Sequence, residues 1–434
     1  MEKGLISVDQ WTQGSQAYFL THLHSDHTKG LTSSWARGPL FCSRLTAKLF
    51  PLKFPGLNLS LLRVLDTGSW HSISLISPSS REKTVVQVMA IDAHHCPGSI
   101  MLLFRGEFGC LLYTGDFRWE TDGERAKIAR NTLLKALKDD AVDILYLDNT
   151  YCNPKYEFPC REFAAQQVAD IIASHPSHDI IIGIDTLGKE ELLLHISRLL
   201  NIKIWVWPER LQTMQLLGFH DIFTTKTSLT RVRAVPRYSF SIDTLEELNT
   251  IRPTIGIMPS GLPWLVKPLK GNDKLFGSLL TSYNRSKNGA KGGIETDKMN
   301  DNLGVERFHK YVYTVPYSDH SCFMEIQEFI KLVQPVKVRG IVSSSSCYVD
   351  PLYYFGRLCK ANPPSRGLHN SEERKSLGKR VIAVQTNCYV RSGNATEAGR
   401  KRGRTLKVNF LGVNASKTNA LRRIQRGAKI VPSE

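Results

Sequence analysis

From residue 16 to residue 147 the chain sets short apolar runs between polar breaks: Gln16–Leu20, Val85–Ile91, Ile100–Phe104, Cys110–Thr114 and Ile144–Leu147. Runs this short, bounded by turn residues, predict buried strands. The residues just past each run carry more information than the run itself. Asp9 closes Leu5–Val8, and His22-Leu23-His24-Ser25-Asp26-His27 comes after Gln16–Leu20. Asp92-Ala93-His94-His95-Cys96-Pro97-Gly98 comes after Val85–Ile91, Gly115-Asp116 after Cys110–Thr114, and Asp148 after Ile144–Leu147. Reactive groups at the ends of sheet strands can converge on one edge of the sheet.

Between about residues 155 and 270 the pattern changes to alternating helices and strands. Arg161–Ser174, Lys189–Leu200 and Glu209–Leu217 have helical periodicity; Ile180–Ile184, Lys203–Trp207 and Thr254–Met258 read as strands. That alternation predicts a small α/β domain with a largely parallel sheet. Residues 284–304 are rich in Gly, Asn and Lys and read as a flexible surface insertion. Order resumes at Tyr311–Val315, then come Pro316-Tyr317-Ser318-Asp319-His320-Ser321, a helix to about Val333 and a strand over Val336–Val342. These late elements are expected to rejoin the first domain's sheet, which makes the α/β segment an insertion. The expected organisation is a first domain over 1–154, an inserted domain over 155–309, a return to the first domain over 310–365, and a basic, largely disordered tail over 366–434.

With 434 residues and 41% hydrophobic residues the chain can bury more than one core. Its formal charge is +17, from 57 basic and 40 acidic residues. From Arg400 onward there are 10 basic residues and 1 acidic one, a net +9, leaving +8 for residues 1–399. Both parts are basic, which favours a polyanionic partner. The 9 cysteines are scattered and form no CxxC pair, as expected for reduced thiols. The start of the chain lacks the pattern of a signal peptide, and no apolar run approaches the roughly 20 residues of a membrane span. A soluble protein without membrane contact, cytosolic or nuclear, is expected.

Three imidazoles and a carboxylate within six residues, His22 to His27, point to a metal centre. On a strand, His22 and His24 would share one side. One ion would take His22, His24, His95 and Asp116; a second would take Asp26 and His27, with Asp116 as the bridge. Two such ions suit in-line displacement at phosphorus.

These residues resemble the metallo-β-lactamase superfamily: His22-x-His24-x-Asp26-His27, His95 in HHCPGS, Asp116 in LLYTGDFR, and Asp9 as its first acidic motif. Tyr146–Cys152 (YLDNTYC) and Pro316–Ser321 (PYSDHS) are similar to motifs of the β-CASP nucleases, in their Apollo/Artemis-type DNA repair branch. The resemblance implies an α/β fold, a metallo-β-lactamase αββα sandwich with an inserted β-CASP α/β domain. It implies metal ligation by His22, His24, Asp26, His27, His95 and Asp116, and a carboxylate at Asp9 that orients the histidine loop. Catalysis would fall to Asp26, Asp148 and His320, the last protonating the leaving 3′-oxygen. Ser318 and the Gly188-Lys189 turn would contact phosphate or DNA; the serine run 343–346 reads equally as a polar loop.

A third β-CASP motif falls on the strand Val336–Val342, where RNA-processing relatives carry a metal-binding histidine. Val342 stands there and cannot ligate. One tightly held Zn2+ is therefore expected, with a second divalent ion, Zn2+ or Mg2+/Mn2+, held more weakly. The implied function is a metal-dependent 5′-to-3′ exodeoxyribonuclease acting on single- or double-stranded DNA 5′ ends in repair of interstrand cross-links or double-strand breaks, or in telomere-end processing. Such an enzyme is expected to be a nuclear monomer with DNA-repair or telomere protein partners. The alternatives are an RNA-directed β-CASP nuclease, disfavoured by Val342, a catalytically inactive DNA-end-binding scaffold, and a small-molecule hydrolase of the superfamily, opposed by the large insertion and the basic balance.

Overall fold

The computed structural model describes residues 5–77, 80–121, 123–138, 140–261, 306–342 and 349–360. The expected insertion at 284–304, the serine run 343–346 and the basic tail lie outside the described residues. Four short strands, β1 (Ile6–Val8), β2 (Ala17–Phe19), β3 (Leu40–Ser43) and β4 (Leu62–Leu65), pair in that order, all parallel. A second sheet holds β5 (Trp70–Ile76), β6 (Lys83–Asp92), β7 (Ile100–Gly106), β8 (Gly109–Tyr113) and β9 (Ile144–Leu147), with the late strand Lys337–Gly340 on its edge beside β9. β5 to β8 form an antiparallel meander; β9 joins β8 in parallel, and the late strand joins β9 in parallel.

Alternation along β6 explains how the sheets stack. Val86, Val88 and Ala90 face Ile6, Val8, Ala17 and Phe19 of the first sheet, whereas Met89 and Ile91 face the opposite way. That outer face is covered by Leu133 and Leu137 of one helix (Glu124–Leu137) and Phe329 and Ile330 of another (Phe323–Val333). The first sheet is covered by a helix over Arg44–Lys53, whose Leu49 and Phe50 pack on Tyr18, Leu40 and Cys42. Its N-cap is Ser43, whose Oγ accepts from the Thr46 amide at 3.1 Å, a cap worth about 1 kcal/mol. Helix, sheet, sheet, helix is the αββα sandwich the motifs implied.

The inserted segment opens with a helix over Arg161–Ser174 and continues through β10 (Asp179–Ile184), a helix over Glu190–Leu200, β11 (Ile204–Trp205), β12 (Phe223–Thr224), β13 (Val232–Pro236) and β14 (Thr254–Pro259). With β15 (Glu306–His309) and β16 (Val312–Val315) these strands form a seven-stranded sheet in the order β12-β11-β13-β10-β14-β16-β15. Every pairing is parallel except β15 with β16. β10 (DIIIGI) is buried along its whole length, as a central parallel strand requires.

Two expectations are corrected here. The sequence pattern assigns β16 to the first domain's sheet, but the strand pairs with β14 from Gly256↔Val312 to Pro259↔Val315. Val-Tyr-Thr-Val suits a half-buried strand in either sheet, and only long-range pairing decides between them. The chain returns to the sandwich after Val315, and the strand Lys337–Gly340, now β17, is the one that rejoins it. The strand expected over Gln16–Leu20 ends at Phe19, so His22 and His24 stand on an irregular loop and not on alternate strand positions. The seven described cysteines are all free thiols. Among the described residues no helix is long and apolar enough to cross a membrane.

Candidate metal centre

Strand direction explains why the site forms. All strands of the first sheet run one way, and in the second sheet two antiparallel steps restore the direction of β6 in β8, β9 and β17. The carboxyl ends of β1, β2, β6, β8, β9 and β17 therefore deliver Asp9, His22–His27, His94–His95, Asp116, Asp148 and Val342. A cleft of about 840 Å3 opens beside these ends, and its other wall includes Asp185, Leu187, Lys189, Arg237 and Tyr238 of the inserted domain.

Three imidazoles meet at the cleft floor. His22 Nε2 and His95 Nε2 each lie 3.0 Å from His24 Nδ1. Their other nitrogens are engaged: His22 Nδ1 with Thr21 Oγ1 at 3.0 Å, His24 Nε2 with the Leu187 carbonyl at 2.9 Å, and His95 Nδ1 with the Asp319 carbonyl at 2.9 Å. A carbonyl only accepts, so His24 and His95 carry their protons on those outer nitrogens and turn lone pairs toward each other. Burial, reinforced for His22 and His95 by the neighbouring imidazoles, lowers the pKa of all three, and well below the usual histidine range for His22 and His95. Neutral acceptors at such separations have no proton to share. A cation among them would satisfy these lone pairs.

Asp116 completes this set. Its Oδ2 lies 3.6 Å from His22 Nε2 and 3.5 Å from His95 Nε2. Tetrahedral zinc with bonds of 2.0–2.1 Å to nitrogen or oxygen spaces its donors about 3.3–3.4 Å apart, so the observed 3.0–3.6 Å fits such an ion. Gly115 makes the approach possible: at φ +54° its missing side chain leaves room for Thr21, which a Cβ would meet at 2.9 Å.

The second face of Asp116 meets His27, with Oδ1 3.3 Å from His27 Nε2. His27 Nδ1 is held at 2.8 Å by Asp9 Oδ2, which also accepts from Thr21 Oγ1 at 2.7 Å while Oδ1 accepts from the Thr21 amide at 2.9 Å. Asp9 thus touches the loop at two points from a backbone with φ +51°. Burial opposes charge on His27, but Asp116 and Asp9 outweigh it and raise its pKa to about 11. Asp116 itself is held well below the carboxylate range, against its burial, by His320, His27 and His95. Two carboxylates drawing a proton onto a buried imidazole mark a place that attracts positive charge. Asp26 is exposed and reaches the group through one approach, Oδ2 to His27 Nε2 at 3.6 Å.

His320 stands across the cleft floor, its Nδ1 2.8 Å from Asp148 Oδ2 and its ring centroid 4.6 Å from that of His95. Burial works against its charge, yet the carboxylates of Asp148 and Asp116 raise its pKa to about 9. Asp148 is itself fixed: its Oδ1 accepts from the Thr150 amide at 3.0 Å and the Thr150 hydroxyl at 2.6 Å. Val342 lines the cleft, its amide donating to Asn149 Oδ1 at 2.9 Å, and offers no ligating group.

Two expected phosphate contacts are engaged elsewhere. The Ser318 hydroxyl is buried, donates to the His320 carbonyl at 2.8 Å and accepts from the His320 amide at 3.1 Å, so it shapes the turn that carries His320. The ammonium of Lys189 lies 3.0 Å from Asp319 Oδ2 and 3.4 Å from Asp185 Oδ2, its charge met inside the fold. Neither partnership is legible in a Gly-Lys turn or a Ser-Asp-His triplet.

Several residues that shape the site are not singled out by the sequence pattern. Arg118 is almost wholly buried and binds the carbonyls of Ser318 and Pro159, each at 3.0 Å, and Glu325. Asp319 orients His95 and, against its burial, is held to about 2 by Lys189. Cys96 falls close to His22, His24 and His95. Asp319, Cys96 and Arg118 sit inside the PYSDHS, HHCPGS and LLYTGDFR motifs, which is a signal of a kind, but no motif indicates the partners they meet.

Residues 219–346 match the family described as "DRMBL: DNA repair metallo-beta-lactamase". The chain is 37% identical over 351 residues to the "5' exonuclease Apollo" of Gallus gallus, covering 80% of this chain and 63% of that one. It is 34% identical over 353 residues to the protein of the same description from Danio rerio, 80% of this chain and 52% of that one. Identity to the "DNA cross-link repair protein SNM1" of Arabidopsis thaliana is 30% over 346 residues, 77% of this chain and 62% of that one. The chain thus spans between half and two thirds of the length of these relatives. With the sandwich, the inserted sheet and the histidine–aspartate edge in place, the chain is similar to the DNA repair metallo-β-lactamase family, through the match over residues 219–346 and the likeness to these relatives.

Proposed function

We propose that this chain is a metal-dependent nuclease that hydrolyses phosphodiester bonds from the 5′ ends of DNA and acts in DNA repair in the nucleus. The observation that carries the reading is the donor set: three neutral imidazole nitrogens and the two oxygens of Asp116 gathered on the floor of a cleft. His22, His24, His95 and Asp116 would hold one divalent ion, Zn2+ by donor type, and His27, Asp26 and the other oxygen of Asp116 a second. Such ions supply Lewis acidity for water activation and neutralise charge on the phosphoryl oxygens. The names of the relatives supply the substrate class, and the basic balance of the chain agrees with a polyanion.

The chain's own residues have distinct tasks. With an ion bound, Asp9 would keep the one remaining proton of His27 on Nδ1 and leave Nε2, which faces Asp116, to ligate. Asp148 holds His320 by Nδ1 and leaves Nε2 as its nitrogen for the cleft. When water attacks phosphorus and the bond to the 3′-oxygen breaks, His320 gives its proton to that oxygen, and Asp148 orients the ring throughout. Val342 offers no donor, so among the described residues the second ion would have fewer ligands than the first and would be held more weakly.

Digestion of end-labelled single- and double-stranded DNA and matched RNA, with and without a 5′-phosphate, tests the proposal. After chelation, activity on DNA should vanish and return on adding back Zn2+, Mn2+ or Mg2+, with mononucleotides released from the 5′ end. Faster hydrolysis of RNA, or hydrolysis unaffected by chelation, would sink it.

Asp9→Asn probes the weaker ion. Asparagine tolerates the left-handed backbone at this position, so the fold should survive. Its amide would face His27 Nδ1 as a donor and move the imidazole proton to Nε2, toward Asp116. Calorimetric titration should show the second ion bound about 10- to 100-fold more weakly, with the first unchanged. Equal weakening of both ions would contradict the assignment.

A further inference from the structure

The cleft wall contributed by the inserted domain ends in a short turn, Arg237–Ser239, just after β13. Tyr238 on this turn is 87% exposed, the largest value among the exposed large hydrophobic side chains of the described residues. It lines the same cleft as His24, His95, Asp116 and His320. Two other tyrosines of the cleft, Tyr151 and Tyr317, are buried. The ring of Tyr238 has no aromatic or hydrogen-bonding neighbour among the described residues.

Exposure at a loose loop would mean little, but this turn is anchored at both ends. Arg237 Nε lies 3.5 Å from Asp185 Oδ1, the carboxylate that also meets Lys189. On the other side Phe240 is buried with Leu245 and Met258, its ring filling the space that a side chain on Gly256 would need. The Phe240 amide closes the turn on the Arg237 carbonyl at 3.1 Å. With Arg237 paired to Asp185 and Phe240 buried, Tyr238 stands exposed on a turn held from both sides. An exposed aromatic face on an anchored turn at a polar cleft is the form of a stacking platform for a nucleobase.

We propose that Tyr238 stacks on a base within the first nucleotides of a single-stranded 5′ end and, by holding that base, sets how the end enters the cleft. This rests on the nuclease reading above and deepens it by naming the group that grips the base, where the metal centre would grip the phosphate. Tyr238 is a positioning residue: it touches substrate but no reacting atom. Stacking tolerates every base, so the platform gives a preference for strands with exposed, unpaired bases and none for sequence.

The test uses the full chain and a 5′-phosphorylated single-stranded oligonucleotide with 2-aminopurine at its first, second or third position. Binding is read by fluorescence with divalent ions removed, and hydrolysis is read separately with Zn2+ or Mn2+ restored. The unmodified protein should quench the probe in at least one position. Tyr238→Ala should lose that quenching and raise KM by roughly 5- to 150-fold, with a much smaller change in kcat. Tyr238→Phe and Tyr238→Trp should retain both. On a strand whose first three bases are replaced by abasic residues, Tyr238→Ala and the unmodified protein should perform alike. Quenching absent at every position, unchanged in Tyr238→Ala, or an equal loss on the abasic strand overturns the platform. Quenching that depends on Tyr238 without any hydrolysis leaves the platform standing and overturns the nuclease reading.

Discussion

Asp116→Asn is expected to reduce kcat/KM on 5′-phosphorylated DNA by about 10^3-fold or more, the scale of losing metal-based charge stabilisation. Asp116 is the one carboxylate among the described residues that faces both groups of imidazoles, Oδ2 toward His22 and His95 and Oδ1 toward His27. An amide of the same shape keeps an oxygen for one group and presents N–H to the other, so one set of lone pairs gains a donor where it needs a cation. Metal content by atomic emission should fall with the activity. DNA affinity, measured by anisotropy without metal, should change little, because backbone attraction comes from charge spread over the surface. Retained activity with full metal content would remove Asp116 from the centre, and a large loss of DNA affinity would mean that the change had disturbed the cleft.

The second large effect concerns His320. His320→Gln should lower kcat by about 10^2- to 10^4-fold on ordinary DNA, the usual range for loss of a positioned acid. A substrate whose scissile 3′-oxygen is replaced by sulfur needs little protonation at the leaving atom, and on it the same variant should approach the unmodified protein. A structural role for His320 would depress both substrates alike. Asp148→Asn should show the same split to a smaller degree, because it leaves the ring present but without the carboxylate that holds Nδ1 at 2.8 Å. If Asp148→Asn instead impaired the sulfur substrate fully, its part would be in binding and not in orienting the acid.

Much of the site is legible along the chain because it is built at strand ends. Once apolar runs are recognised, the residue after each run is also placed, and Asp9, His22, His95, Asp116 and Asp148 all fall there. The rest depends on partners distant in sequence. Nothing near His320 indicates that its nitrogen is held by a carboxylate 172 positions earlier. Lys189 and Ser318 show the same limit from the opposite side: each is a plausible phosphate contact by residue type, and each has its polar group engaged within the fold. Strand β16 eludes assignment because its four residues satisfy either sheet, whereas β10, apolar almost throughout, could only be central. His22 and His24 do converge, but strand alternation is not the cause. An irregular loop, pinned where Thr28 donates from its amide to the His24 carbonyl, brings them together.

His24 donates its outer hydrogen bond to a carbonyl of the inserted domain, at Leu187, while Lys189 two residues on meets Asp319 beside His320. On the proposed ligand set, occupancy of the centre and seating of that domain would be thermodynamically linked: whatever free energy an ion gained by finding His24 already oriented, the seated arrangement would gain in return. The seam between the sandwich and the inserted domain would in this sense report on the cleft floor. Its amides near Leu187 would exchange with solvent more slowly in the metal-loaded protein, without a single ligand being added to the inserted domain itself.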